Sequence, residues 1–292
     1  MRALVHGLRE TIGRTQAPVL IDQEGGRVAR LQPPHWRKYP AAATLGALGE
    51  CAAEAVRLSA RLIADDLAAL GITVDCLPVL DVRQPGADPV IGDRAYSSDP
   101  IVITRLGRVA CEGLLAGGVL PVIKHMPGHG RATVDTHHAL PRVNAPRAAL
   151  DASDFAPFRA LADMPWAMTA HIVYTAIDAE VPATLSPVVI REVIRASMGF
   201  DGVLVSDDLS MNALGGPIGA RAARALAAGC DIALHCNGKP AEMTDVAAAV
   251  APLTPEARRR LDRGEARRHA ADRLDRRASE VRLDALLAGA AA

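Results

Sequence analysis

The sequence predicts an α/β protein of the (β/α)8 TIM-barrel type that lacks the barrel's N-terminal strands, and three observations carry that prediction. Short apolar runs rich in Val, Ile and Leu alternate with long Ala/Leu/Arg stretches of helical period, the pattern of a parallel sheet covered by helices. Most of these runs end in polar, reactive residues: Asp22, Asp81, Lys124 with His125, His171, Asp207 and His235. A doubly wound sheet collects such residues at one or two switch points, whereas a barrel gathers them from many strand ends into one mouth. No GxGxxG follows a candidate strand, which weakens a dinucleotide-binding reading.

Taken in order, residues 1–16 read as one helix ahead of the first strand. The runs Pro18–Asp22, Thr73–Asp81, Leu120–His125, Trp166–His171, Val203–Asp207 and Asp231–His235 read as strands buried on both faces. Between them, Glu50–Leu70 and Pro100–Ala116 read as amphipathic helices. Six strands are fewer than a closed barrel needs, and the missing pair is expected ahead of Met1. No internal repeat or low-complexity linker interrupts the chain, so 1–292 is expected to form a single domain with a peripheral helical tail over 255–292.

Composition narrows the function. Half of the residues are apolar but only 3% are aromatic, which suits helices packed closely on strands rather than a β-sandwich. Lys plus Arg equals Asp plus Glu, so nothing global points to nucleic acid or to an anionic membrane. The Arg-rich stretch 257–282 reads as a solvated helix with paired charges, since acids recur among the arginines at helical spacing. Cys51, Cys76, Cys111, Cys230 and Cys236 are scattered and odd in number, against a disulfide framework or a structural zinc site. MRALVHGLRE lacks the apolar core of a signal peptide, and no run reaches the roughly 18 apolar residues of a membrane span. A cytoplasmic, monomeric protein without a cofactor is expected.

Three segments carry candidate chemistry. In Lys124–His138, Pro127, Gly128 and Gly130 forbid a regular helix, so the strand end runs into a loop bearing His129, Asp135, His137 and His138. Asp135 can orient and charge-stabilise His137 as a general acid/base pair; an Asx-type turn with surface histidines carries equal weight. His125 and His129 have the spacing of a zinc pair, but the intervening Pro-Gly removes the helix that such a pair needs. In Val203–Met211, Asp207 arrives at a strand end and Asp208 points the other way, so one of the two suits a glycosidase nucleophile; a helix cap is the competing reading of Asp207. In Ile21–Leu31, Asp22 can accept from two sugar hydroxyls, and Glu24 is a second carboxylate or the partner of Arg27 or Arg30. Arg94, in a loop after the Asp81 strand, is expected to be exposed when judged alone.

Together these segments resemble the β-N-acetylglucosaminidases of glycoside hydrolase family 3. The resemblance rests on IDQEGGRVARL, GDRAYSSDP, IKHMPGHG followed by VDTHHALP, MTAHIVY and VLVSDDLSMNALGG, in the family's order over roughly residues 15–240. It implies a single barrel domain and a retaining reaction with Asp207 as nucleophile, His137 as acid/base and Asp135 as its dyad partner. It implies that Asp22, Arg30, Arg94, Lys124 and His125 hold the N-acetylglucosamine. The implied substrates are muropeptides bearing N-acetylglucosamine linked to 1,6-anhydro-N-acetylmuramic acid, in cytoplasmic cell-wall recycling, with no metal and no cofactor. Met126 and Thr136 stand where the family more often has Phe and Ser. The competing readings are a truncated, inactive sugar-binding remnant, a β-glucosidase of the same family, and a metal-dependent barrel hydrolase; the intact set of site residues favours the active enzyme.

Overall fold

A computed structural model describes residues 1–289. Its central sheet has five parallel strands: β1 (Leu20–Ile21), β2 (Val74–Asp75), β3 (Leu120–Met126), β4 (Trp166–Thr169) and β5 (Val203–Val205). Spatial order follows chain order without reversal. That is the winding of a barrel wall, since a doubly wound sheet reverses direction at a switch point. The segment expected as the sixth strand, Asp231–His235, joins only through one parallel bridge between Ile232 and Val205. Among the described residues no further strand links Ile232 back to β1, so the sheet is an open arc rather than a complete eight-stranded barrel, and of the six strands expected the last is reduced to a bridge. The first helix is also shorter than expected, α1 (Arg2–Thr11).

Four of the strands are buried on both faces with period two, while β1 is only half-buried. Leu120 and Val122, Trp166 and Met168, and Val203 and Val205 share one cluster inside the arc with Val74 and Cys76. The alternate residues Ile123, Ala167 and Leu204 join the larger core beneath the helices. That outer layer includes α2 (Ala52–Leu70), which ends as the sequence indicates but begins two residues later, after a 3-10 turn over Gly49–Cys51, and α3 (Pro100–Ala116), which has the expected bounds. Asp99 caps α3 by accepting from Ile101 N–H at 2.8 Å, with Pro100 at the first helical position, and α2 stops at Gly71 with φ +81°. The two helices touch along small residues. A Cβ on Gly113 would lie 2.9 Å from Ala60 Cβ, and one on Gly117 would lie 2.2 Å from Ala64 Cβ. This close approach explains a core rich in Ala and poor in aromatics. Each fully buried Leu or Ile of α2, such as Leu62 and Ile63, contributes about 1.5–3 kcal/mol of transfer free energy.

Helix α4 (Ile218–Ala228) follows the Asp207 loop, and α5 (Pro240–Ala249) packs against it. Helix α6 (Pro255–Glu265) lies across the N-terminal ends of the strands. Its Leu261 packs on the inner cluster, and Arg260 bridges Asp201 at 3.1 Å and Asp231 at 2.8 Å. Helix α7 (Arg276–Gly289) lies on α2, inserting Leu283 and Leu286 into the core while Arg276 pairs with Asp65 and Asp66. In the Arg-rich stretch Arg260, Arg263, Arg276 and Arg282 pair with acids on the body of the protein, while Arg268 pairs with Glu265 inside it. Among the described residues no helix is long and apolar enough to cross a membrane.

Candidate active site

The C-terminal strand ends open into one cavity of about 280 Å³. Asp22, Arg30, Arg94, Lys124, His125, Asp135, His137 and Asp207 all line it. His235 does not: its ring turns to Glu242, 2.9 Å away, and its expected strand is reduced to a single bridge at Ile232.

Beyond β1, a hairpin of Gln23–Gly25 and Val28–Ala29 sets two carboxylates against two cations. Lys124, at the end of β3, is fully buried and lies 3.0 Å from Asp22 Oδ1 and 2.7 Å from Glu24 Oε1. Arg94 grips Glu24 with two parallel bonds, Nε to Oε2 at 2.9 Å and Nη2 to Oε1 at 2.8 Å. Glu24 therefore pairs with neither Arg27 nor Arg30: Arg27 binds Asp93 and Arg30 binds Asp22. The Arg94 side chain is correspondingly only 13% exposed, against the expectation of an exposed loop arginine. Lys124 pulls the Asp22 carboxyl well below the usual range, more strongly than burial raises it, with Arg30 adding to the pull. Burial works against the charge on Glu24 and on Lys124, but their mutual attraction wins, lowering the first and raising the second.

His125 follows Lys124 and is fixed from behind by Asp81. Asp81 Oδ2 lies 2.7 Å from His125 Nδ1, and Oδ1 accepts from the amides of His125 and His129. Burial, then the charge of His125, push His129 down to about 4, so its ring stands neutral in the cavity wall.

Asp207 sits on the cavity floor. Burial raises its pKa, but the charge of His125, then the nearby His171 ring, the Asp208 amide and Lys124, more than reverse this and hold the carboxyl below its ordinary value. Its Oδ1 accepts from Asp208 N–H at 2.8 Å. Among the described residues Oδ2 has no partner. No helix begins behind Asp207 until Ile218, which removes the capping reading. Asp208 instead makes the local turn, accepting from Ser210 N–H and Oγ–H and from Cys236 N–H.

His137 stands at the rim, more than half exposed. Asp135 Oδ1 accepts from its amide at 2.8 Å and lies 2.7 Å from its Nδ1, so the turn and the dyad are one arrangement. Burial raises the Asp135 pKa and the two His137 contacts lower it further, leaving it below the usual range. The loop leans on the Asp207 segment: Thr136 O accepts from Ala213 N–H at 3.0 Å and His137 O from Asn212 Nδ2 at 2.9 Å. Gly130 anchors its root, since a Cβ there would lie 2.0 Å from Val82 O. Met126 and Thr136 are both buried and pack without opening the site. Sequence reasoning assigned no role to Met168, Met211, Leu234 or Cys236, which also line the cavity; as single apolar or thiol residues they carry no motif.

Such a mouth is that of a hydrolase for a hydroxyl-rich substrate, a glycoside hydrolase. The model of the glycosyl hydrolase family 3 N-terminal domain matches residues 3–267, and the chain belongs to that family. It is 42% identical over 248 residues to a beta-hexosaminidase of Alkalilimnicola ehrlichii, a match that covers 81% of this chain and 69% of the relative. Among solved structures, NagZ of Neisseria gonorrhoeae in complex with N-trifluoroacetyl-D-glucosamine is 31% identical, with a TM-score of 0.84 over all of this chain and 86% of that one. A family 3 beta-N-acetylglucosaminidase from Paenibacillus sp. is 33% identical, with a TM-score of 0.80 over 96% of this chain and about half (53%) of that larger protein.

Proposed function

We propose that the protein is a retaining exo-β-N-acetylglucosaminidase that releases terminal N-acetylglucosamine from muropeptides ending in 1,6-anhydro-N-acetylmuramic acid, in the cytoplasm, as a single barrel-type domain. The observation that carries this reading is the pairing of an ionised floor carboxylate, Asp207, with a rim imidazole held by its own carboxylate, His137 on Asp135. Asp207 Oδ2 attacks the anomeric carbon as its bond to the leaving oxygen breaks, and the His137 Nε2 proton passes to that oxygen. In the second half-reaction Nε2 takes a proton from water, the water oxygen bonds to the anomeric carbon, and the Asp207 carboxylate departs. Asp22, Arg30, Arg94, Lys124 and His125 hold the sugar. The cavity is near the lower end of the roughly 300–1,000 Å³ typical of small-molecule sites, which suits one terminal sugar rather than a chain of them.

The test is release of 4-nitrophenol from 4-nitrophenyl N-acetyl-β-glucosaminide by the purified chain, with 1H NMR of the first-formed sugar anomer. Turnover with a β first product is expected. A well-folded chain with no turnover would favour the inactive remnant, and an α first product would overturn the retaining mechanism.

The choice of acid/base residue bears on the substrate. A neutral imidazole can approach an aglycone bearing a carboxylate without like-charge repulsion. His137→Glu is therefore expected to slow turnover of anhydro-muramyl substrates at least several-fold more than turnover of uncharged aryl glycosides. Equal losses on both would remove this argument for the anionic substrate.

A further inference from the structure

Behind Asp207 lies a closed hydrogen-bond ring of buried groups: the Asp207 amide, Thr169 Oγ1, Thr184 Oγ1, the His171 ring and the Asp208 carbonyl. We propose that His171, acting through Thr184 and Thr169, is a positioning residue that fixes the Asp207–Asp208 peptide and so aims the Asp207 carboxylate. The proposal rests on the reading of Asp207 as nucleophile.

The side chains of Thr169, His171 and Thr184 are fully buried, and none of them lines the cavity. His171 Nε2 lies 3.0 Å from Asp208 O; a carbonyl only accepts, so Nε2 carries the proton. Nδ1 lies 2.7 Å from Thr184 Oγ1. Burial depresses the His171 pKa, against the opposing charges of Asp207 and Asp208, so the ring is neutral near pH 7 and Nδ1 accepts. Thr184 therefore donates to Nδ1, and the Ala170 carbonyl 3.1 Å away competes for the same proton. With that proton committed, the 2.8 Å contact between the two threonine hydroxyls runs from Thr169 to Thr184. Thr169 Oγ1 then accepts from Asp207 N–H at 3.3 Å.

Every link thus has one donor and one acceptor, and the direction is fixed from the Asp207 amide round to the Asp208 carbonyl. The opposite neutral tautomer would set the Nε2 lone pair against a carbonyl oxygen. The ring holds both flanks of one peptide, and the N–H of that peptide is the group bonded to Asp207 Oδ1. Holding the peptide therefore fixes which way Oδ2 faces. The segment after β5 is also held by Leu209 N–H on Leu234 O and by Met211 N–H on the Asp208 carbonyl, but among the described residues the Asp207 N–H has no partner besides Thr169.

Thr184→Val keeps volume and shape but removes the hydroxyl that links the His171 ring to Thr169. A misplacement of the order of 1 Å costs about 100-fold in rate, so kcat should fall about 10- to 100-fold while KM moves less than about 3-fold, and Thr184→Ser should restore kcat. Thr169→Val, which breaks the ring one link nearer Asp207, should reproduce the kcat loss. Unchanged kcat in both valine variants, or a loss that falls on KM, would overturn the proposal while leaving Asp207→Asn to report separately on the nucleophile. If neither variant folds, 15N NMR of the wild-type histidines decides. His171 is expected as the Nε2–H tautomer at neutral pH, and an Nδ1–H tautomer or an imidazolium there would overturn the ring.

Discussion

Asp207→Asn will lower kcat by roughly three orders of magnitude or more and leave the protein folded, because a neutral amide cannot serve as the nucleophile of a covalent glycosyl transfer. The fold should survive for a structural reason. The wild-type carboxylate takes one local bond from the Asp208 amide, and the amide oxygen of Asn can accept the same bond. The surrounding ring engages the backbone of Asp207 and Asp208, not the carboxylate. An unchanged thermal transition with activity at background is the expected pair of results. Activity retained within about ten-fold would mean that another carboxylate attacks; Asp208 could not take the task without giving up the turn that it holds with Ser210 and Cys236.

The largest loss of stability is expected from Lys124→Met. The ammonium is buried between Asp22 and Glu24, and removing one partner of such a group costs about 3–5 kcal/mol because the remaining charges are left uncompensated. The pH dependence gives a second signature. In the native protein both carboxyls have folded-state pKa values below their unfolded ones. Their contribution to stability is therefore complete above the ordinary carboxylate range and is lost as pH falls below about 4 toward the depressed folded values. In the variant both carboxyls lose the charge that lowers them most, with only Arg30 left to Asp22 and Arg94 to Glu24, so their folded-state pKa values rise above the native ones and acid relieves them by protonation. Urea denaturation should show the deficit of the variant shrinking from pH 7 to pH 4. A deficit that grows on acidification would mean that Lys124 is not what holds these carboxylates charged.

Much of this was legible in the sequence because apolar period and strand-end chemistry are local. Five of six strand runs stand where Val, Ile and Leu cluster, and Asp99–Pro100 and Gly71 mark helix ends by capping rules that depend on a few neighbouring residues. The sixth run, 231–235, has the composition of a strand but makes a single bridge, since pairing depends on a neighbour that composition does not specify. Partner choice was likewise hidden. Local spacing offered Arg27 and Arg30 to Glu24, whereas the arc brings it Arg94 and Lys124, 70 and 100 residues away. His171 was visible as a strand-end residue, but its bond to Thr184 crosses a loop with no periodic signal. Asp135 and His137 were legible because both halves of the dyad lie within one turn.

The cavity wall mixes the cations Arg27, Arg30, Arg94 and Lys124 with the anions Asp22, Glu24, Asp135, Asp207 and Asp208. Nearly all of them are already engaged with one another or with their own loops. Seen from solvent, a mouth so nearly neutral throws little field outward, and what remains is damped within about 10 Å at 0.1 M salt. Encounter with substrate should therefore proceed by plain diffusion rather than by long-range capture. The second-order rate constant kcat/KM should change little with ionic strength, and added salt should neither starve this site nor feed it.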